Sequence, residues 1–289
     1  MSRGKSRRSI ELLKSAKIIL SEIQPASVRA VCYRLFVEGR IPNMGKSATN
    51  SVSKQLTWAR EQGFIPWEWI VDESREAESA DRWRDTDAII DAAVRGYRRD
   101  YWQDQPLRVE VWSEKGTVRG TLGPVLDEFG ITFRVMHGYA SATVINTVAD
   151  ESRSTDKPLV ALYVGDWDPS GLHMSEVDLP DRLERYGADL TLERIALTED
   201  DIGSGLPSFD AESKEADPRY QWFVRHIGTR CHELDAMPPP DLRERVRNWV
   251  MGLIDLRLWD HAREIERVEV ASMQDFSKSW QATKCGTQP

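Results

Sequence analysis

Asp166 and Asp168 stand two positions apart, after the apolar run Leu159–Val164 and before Pro169-Ser170-Gly171. The run is short and apolar, the pattern of a buried strand, and Pro and Gly end it in a turn. If extended backbone persists through the acids, both side chains point to one face. Carboxylates crowded at the end of a buried strand repel each other and lose hydration. A hard divalent cation relieves both problems, and Mg²⁺ is typically held by one or two carboxylates plus waters and substrate phosphates. A solvated acidic loop is the plain alternative. A second stretch repeats the arrangement: Arg108–Ser113 reads as a strand running into Glu114, followed by a helix with Val118, Leu122, Val125, Leu126 and Phe129 on its apolar face. Two strands of one parallel sheet would bring Glu114 to the same carboxyl edge as Asp166 and Asp168, where ligands of open α/β sheets bind. For Glu114 the alternative is a surface pair with neighbouring Lys115. The three carboxylates are the candidate ligands for Mg²⁺, with Mn²⁺ able to replace it, and Glu114 is also a candidate catalytic residue.

The elements that must position these groups are legible as periodicities. Apolar residues recur at helical spacing from Ile10 to Ile23, and Pro25 stops that helix. Ser27 can cap a second helix lined by Val28, Val31, Cys32, Leu35 and Phe36. A third runs from near Asn50 to Gln62, and Phe64–Val71 reads as a short wing or strand pair. Three helices and a wing make a winged helix-turn-helix, in which the helix after the turn enters the major groove. Lys46, Lys54 and Arg60, expected to face outward, are the candidate phosphate contacts. Residues 72–106 are polar and acidic, with a helix expected over 81–99 and Trp83, Tyr97 and Tyr101 packed along it. Further strands are expected over 131–136 and 190–197, and helices over 141–152 and 171–186. Pro238-Pro239-Pro240 sets off a long amphipathic helix over 241–267 whose stripe, including Leu242, Val246, Trp249 and Val250, suits a core or a dimer face. The tail after Ser272 reads as disordered. The fold class is therefore multidomain α/β: a winged helix-turn-helix over 1–75, a helical linker over 76–106, a parallel sheet flanked by helices over 107–200 and a helical extension over 201–289.

A strand ending in Glu followed by a strand ending in Asp-x-Asp resembles the Toprim domain of topoisomerases, primases and related nucleases. The form Asp166-Trp167-Asp168-Pro169-Ser170-Gly171 is most similar to the topoisomerase VI A subunit and the meiotic double-strand-break proteins, and to smaller bacterial and phage relatives. The resemblance covers residues from about 25 to 250. It implies a CAP-like DNA-binding domain ahead of a Toprim domain, and carboxylates Glu114, Asp166 and Asp168 that hold Mg²⁺. Cys32-Tyr33 stands where the A subunits carry paired tyrosines, the second of which attacks DNA, and Arg29 matches a basic residue of the same motif. A phenol is a weak nucleophile until a cation or base activates it, and an aromatic among apolar residues is equally a core residue. Gly138, after the strand ending near His137, resembles a family glycine, and Glu233-Leu234-Asp235 a family segment with a supporting or structural role. The resemblance also implies a homodimer, with Tyr33 supplied by the other protomer, and a separate ATPase subunit, since no phosphate-binding Gly-x-x-x-x-Gly-Lys loop is present.

Charge agrees with a nucleic-acid partner once its distribution is considered. The net charge is −8, yet residues 1–60 hold 12 Lys/Arg against 3 Asp/Glu, a local balance of +9 on an otherwise acidic chain. That asymmetry suggests a footprint on double-stranded DNA, with a solvated basic helix face as the alternative. No apolar run approaches a membrane span, and the basic N-terminus is not followed by a signal-peptide core. Three cysteines, an odd number without metal-ligand spacing, argue for a reducing cytoplasm, where the protein would be nucleoid-associated, and against a zinc site. Mg²⁺-dependent DNA strand cleavage is the leading expectation, covalent through Tyr33 or hydrolytic through water. A non-catalytic DNA-binding protein and a primase-like polymerase are the other classes.

Overall fold

Ser6 and Ser27 each accept a hydrogen bond from the backbone three residues on and so start the first two helices. The structure, a computed structural model, describes residues 6–71, 82–136, 142–203 and 205–285. The strand end expected at His137-Gly138-Tyr139 and the domain boundary expected at residues 75 and 76 lie outside them. The chain divides into two compact units, residues 1–73 with 109–252 and residues 74–108 with 253–289.

The first unit opens with α1 (Arg7–Ile23), β1 (Ala26–Ser27), α2 (Val28–Val37) and α3 (Lys46–Glu61). Leu13, Leu20, Val31, Leu35, Val52 and Leu56 form the core where the three helices meet. A 3-10 turn at Trp67–Trp69 and β2 (Ile70–Val71) follow, and β2 pairs in parallel with β1. The segment expected to form a wing is thus a turn and a two-residue strand laid beside the start of α2. Gly120, in the helix described next, lies so close to Val71 that an added Cβ would sit 2.5 Å from the valine Cβ. Only glycine permits that approach.

A four-stranded parallel sheet carries the rest of this unit. In α4 (Thr86–Gly96) the chain belongs to the second unit; it returns as β3 (Arg108–Ser113), α5 (Thr117–Phe129), β4 (Thr132–Val135), α6 (Ala142–Arg153) and β5 (Leu159–Val164). The helical run after β5 is α7 (Pro169–His173), a π turn at Met174–Asp178 and α8 (Leu179–Arg185), then β6 (Leu190–Ala196). The expected single helix over 171–186 is interrupted because Pro180 has no N–H to return to Glu176. Strand order is β4-β3-β5-β6. Leu159, Ala161 and Tyr163 alternate along β5 onto one face, where they meet Ile145 and Val148 of α6 and Leu179 and Leu183 of α8. From β3 the chain steps outward to β4, then crosses back to β5 on the other side, so the winding reverses between β3 and β5. Ligand crevices of open α/β sheets lie at the carboxyl ends of such a pair. The unit ends with α9 (Glu199–Ile202), β7 (Phe209–Asp210), α10 (Tyr220–His226), β8 (Arg230–Cys231), which pairs antiparallel with β7, and α11 (Pro239–Leu253).

The second unit is helical. α4 lies against α12 (Leu256–Cys285). Tyr101 and Trp102 set their rings edge-on to Trp259 at 4.8 and 5.5 Å, and Tyr97 donates to Glu269 at 2.6 Å. α4 is shorter than the helix expected over 81–99, since Asp85 caps it and Tyr97 leaves helical geometry. The long helix expected over 241–267 is two. Asp255 ends the first, taking its own N–H to Gln105, and caps the second by accepting from Arg257 N. The tail expected to be disordered continues α12 to Cys285. No helix among the described residues is long and apolar enough to cross a membrane.

Candidate active site

Glu114 follows β3 directly and Asp166 follows β5 by two residues, so the two carboxylates emerge at the reversal point of the sheet. Strand geometry ends at Val164, short of both aspartates, and Asp168 is the N-cap of α7. Its Oδ1 accepts from Gly171 N at 2.7 Å and from Ser170 Oγ at 3.0 Å. Pro169 takes the first helical position, where no N–H is needed. A Cβ on Gly171 would come within 2.5 Å of the Asp166 carbonyl oxygen. Asp-x-Asp-Pro-x-Gly is thus a folding signal as well as a chemical one: cap, helix start and a close approach that only glycine allows.

Each aspartate holds an ammonium group. Lys115 Nζ stands 2.7 Å from Asp166 and 3.6 Å from Asp235. Lys214 Nζ stands 2.9 Å from Asp168. Asp166 also accepts from Leu234 N at 2.9 Å, which ties it to the segment after β8. The partly buried Arg194 guanidinium donates to the carbonyls of Gly165, Asp166 and Leu197 and to Ser175, locking the loop that carries the pair. Burial pushes the Asp168 carboxyl up, but the Gly171 N–H and Lys214 outweigh it and hold the group below the usual carboxylate range.

Glu114 behaves differently. It makes no hydrogen bond or ion pair among the described residues, and Lys115, its expected surface partner, is turned to Asp166 and Asp235. Partial burial and then the charges of Asp166 and Asp168 push its carboxyl above the ordinary value. The glutamate four residues earlier provides the contrast. Glu110 receives both Arg134 nitrogens at 2.9 and 3.0 Å and the Trp112 indole at 2.7 Å, a satisfied structural group. Among the described residues no three His, Cys, Asp or Glu side chains stand as a preformed metal-ligand group. The lysine ammonium groups occupy the two aspartates instead.

The helical module contributes from the other side. Arg29 of α2 makes a two-pronged pair with Glu233, and Ser27 donates to Asp235 while capping α2. Tyr33 is one of the buried residues of α2, at 5% exposure. It lies beside the Arg29 guanidinium, 5.9 Å from the ring centre, and burial and then Glu233 push its phenol well above the usual value. Arg29, Lys115, Asp166, Lys214, Glu233 and Asp235 line one open cleft of about 420 Å³. Three cations and three anions are therefore balanced along that cleft.

The expected DNA contacts divide. Lys46 and Lys54 are exposed on α3, whereas Arg60, expected outward, is buried with its guanidinium over the Trp67 ring at 4.8 Å. The turn after α3 folds Trp67 back over it. Sequence reasoning gave Lys115 only a surface role and missed Lys214 altogether. No motif marks Lys214, a lone lysine in a polar stretch 46 residues beyond its partner. No family model matches this chain, and neither does any curated protein.

Proposed function

We propose that the protein is a divalent-metal-dependent enzyme that cleaves DNA strands, similar in kind to the topoisomerase VI A subunit, with Glu114, Asp166 and Asp168 as metal-binding residues. The observation that carries this reading is Glu114: a carboxylate without a partner among the described residues, at the reversal point of a parallel sheet, facing two aspartates that already hold cationic groups. Hard oxygen donors crowded enough to push one another's protons about fit Mg²⁺ or Mn²⁺. Bound there, the metal would stabilise charge on the attacked phosphate and its leaving oxygen. The chain's own cations would do the rest, with Arg29, Lys115 and Lys214 holding phosphate oxygens along the cleft. Lys46 and Lys54 would contact the duplex backbone away from the site.

Water is favoured over Tyr33 as the nucleophile by the burial of that phenol and its resistance to ionisation. In the covalent version a conformational change must first expose Tyr33. A supercoiled-plasmid assay decides. With Mg²⁺ or Mn²⁺ the protein should produce nicked or linear DNA, and EDTA, Glu114→Gln or Asp166→Asn should abolish it. Products that enter the gel unchanged with or without protease, and undiminished cleavage by Tyr33→Phe, identify hydrolysis. Protein-linked ends would establish the covalent route. Intact plasmid with every divalent ion, alongside metal-independent DNA binding, would favour a non-catalytic DNA-binding protein.

A further inference from the structure

We propose that Lys214 is a displaceable counter-ion: its ammonium holds Asp168 while that carboxylate is free of metal, and moves to a phosphate oxygen of the DNA when a divalent cation takes its place. The inference rests on the metal-dependent reading above and deepens it, since that reading gives Lys214 a phosphate contact and leaves open what couples the contact to the metal. Its ground is the unequal anchoring of the two lysines. Lys115 has two anions, Asp166 at 2.7 Å and Asp235 at 3.6 Å, so losing one leaves the other. Lys214 has no ion-pair partner among the described residues other than Asp168. A metal on Asp168 would leave that half-buried ammonium with no ion-pair partner and only the more distant charges of Asp166 and Glu233, which favours its move to another anion.

The local fold lets the head group move while its base stays fixed. Lys214 ends a 3-10 turn, Ala211–Lys214, whose first residue is buried among Leu172, Phe223 and Cys231 and whose Ala211 N–H is bonded to Thr229 O at 2.9 Å. The Lys214 side chain is 38% exposed and lines the cleft that opens onto Arg29 and Lys115. A four-carbon stem allows the ammonium to swing without moving the backbone. Metal and substrate binding would then be coupled through one side chain: the metal frees a phosphate contact, and the phosphate in turn prevents the lysine from reclaiming Asp168. Such coupling is reciprocal by thermodynamic necessity.

The test uses the full chain and two probes. Mn²⁺ alone is titrated calorimetrically into wild type, Lys214→Gln and Lys214→Arg. A short mixed-sequence duplex is then titrated by anisotropy in Ca²⁺, which should support binding without turnover. Removing the competing charge should tighten Mn²⁺ binding by Lys214→Gln about ten-fold and weaken duplex binding in Ca²⁺ several-fold. Lys214→Arg, which keeps the charge, should stay near wild type in both. Unchanged or weaker Mn²⁺ affinity in Lys214→Gln, or unchanged duplex affinity, would overturn the proposal and leave the metal site standing. Absence of Mn²⁺ binding by wild type and variants alike would remove the metal-dependent reading itself, and this inference with it.

Discussion

Two glutamates of one strand region show how a residue's partners decide its role. Glu110 is paired with Arg134, accepts from the Trp112 indole and holds β3 to β4, whereas for Glu114 burial and the charges of Asp166 and Asp168 outweigh those of Lys115 and Lys214. Opposite shifts at Glu114 and Asp168 give opposite pH signatures in the metal-free protein. Glu114 has a folded value above its unfolded one, so the folded state binds more protons across that window and stability falls as pH rises through it. Glu114→Gln should therefore raise the melting temperature at pH 7 in EDTA and lose that advantage in acid. Asp168 has a depressed value, so its contribution is present above the unfolded carboxylate range and disappears as pH falls through the folded one. Asp168→Asn should lower the melting temperature at neutral pH and converge with wild type in acid. Equal shifts for the two variants would show that the carboxylates occupy equivalent environments.

At the scale of elements, the site depends on close approaches and on one centrally placed arginine. Gly171 meets the Asp166 carbonyl and Gly120 meets Val71, both at distances a methyl group cannot share. Alanine at either should cost about 1–3 kcal/mol by overpacking. On the proposed DNA-cleaving reading, Gly171→Ala should also reduce cleavage disproportionately, because it displaces the loop bearing both aspartates. Retained activity with lowered stability would show that the loop tolerates the shift. Arg243 of α11 donates to the carbonyls of Ile23, Gln24 and Pro25 and to Thr121 of α5. That joins the entry to α2 with the helix that follows β3, and so sets Arg29 and Tyr33 against the sheet edge. Arg243→Ala should cost on the order of 2 kcal/mol in denaturant unfolding, the range of hydrogen bonds from a charged donor.

For the molecule as a whole, charge is segregated: the basic first 60 residues precede an acidic remainder. On the proposed DNA-binding reading, duplex affinity should weaken linearly in log[salt]. Lys46→Gln with Lys54→Gln should lower the slope by about 1.8, or 0.9 for each phosphate no longer neutralised. Arg60→Gln should leave that slope unchanged, because the guanidinium is spent on Trp67, and should reduce stability instead. A slope unaffected by the double variant would place the DNA on another face.

The order of residues was enough to set the parallel α/β core, the strand ends and the Asp-x-Asp-Pro-x-Gly turn, since apolar period, capping and glycine requirement are local properties. It marked Glu114, Asp166 and Asp168 as candidates for the same reason: an acid at the end of an apolar strand is visible within ten residues. What those acids face was fixed only when distant segments came together. Lys115 turns to Asp166 instead of Glu114, Lys214 reaches Asp168 from a distant turn, and Arg29 meets Glu233 across 204 positions. Arg60 went inward because Trp67 folds back over it, and one expected helix became two because Asp255 caps the second. Charge pairing acts through space at a few ångströms and leaves no periodic trace along the chain.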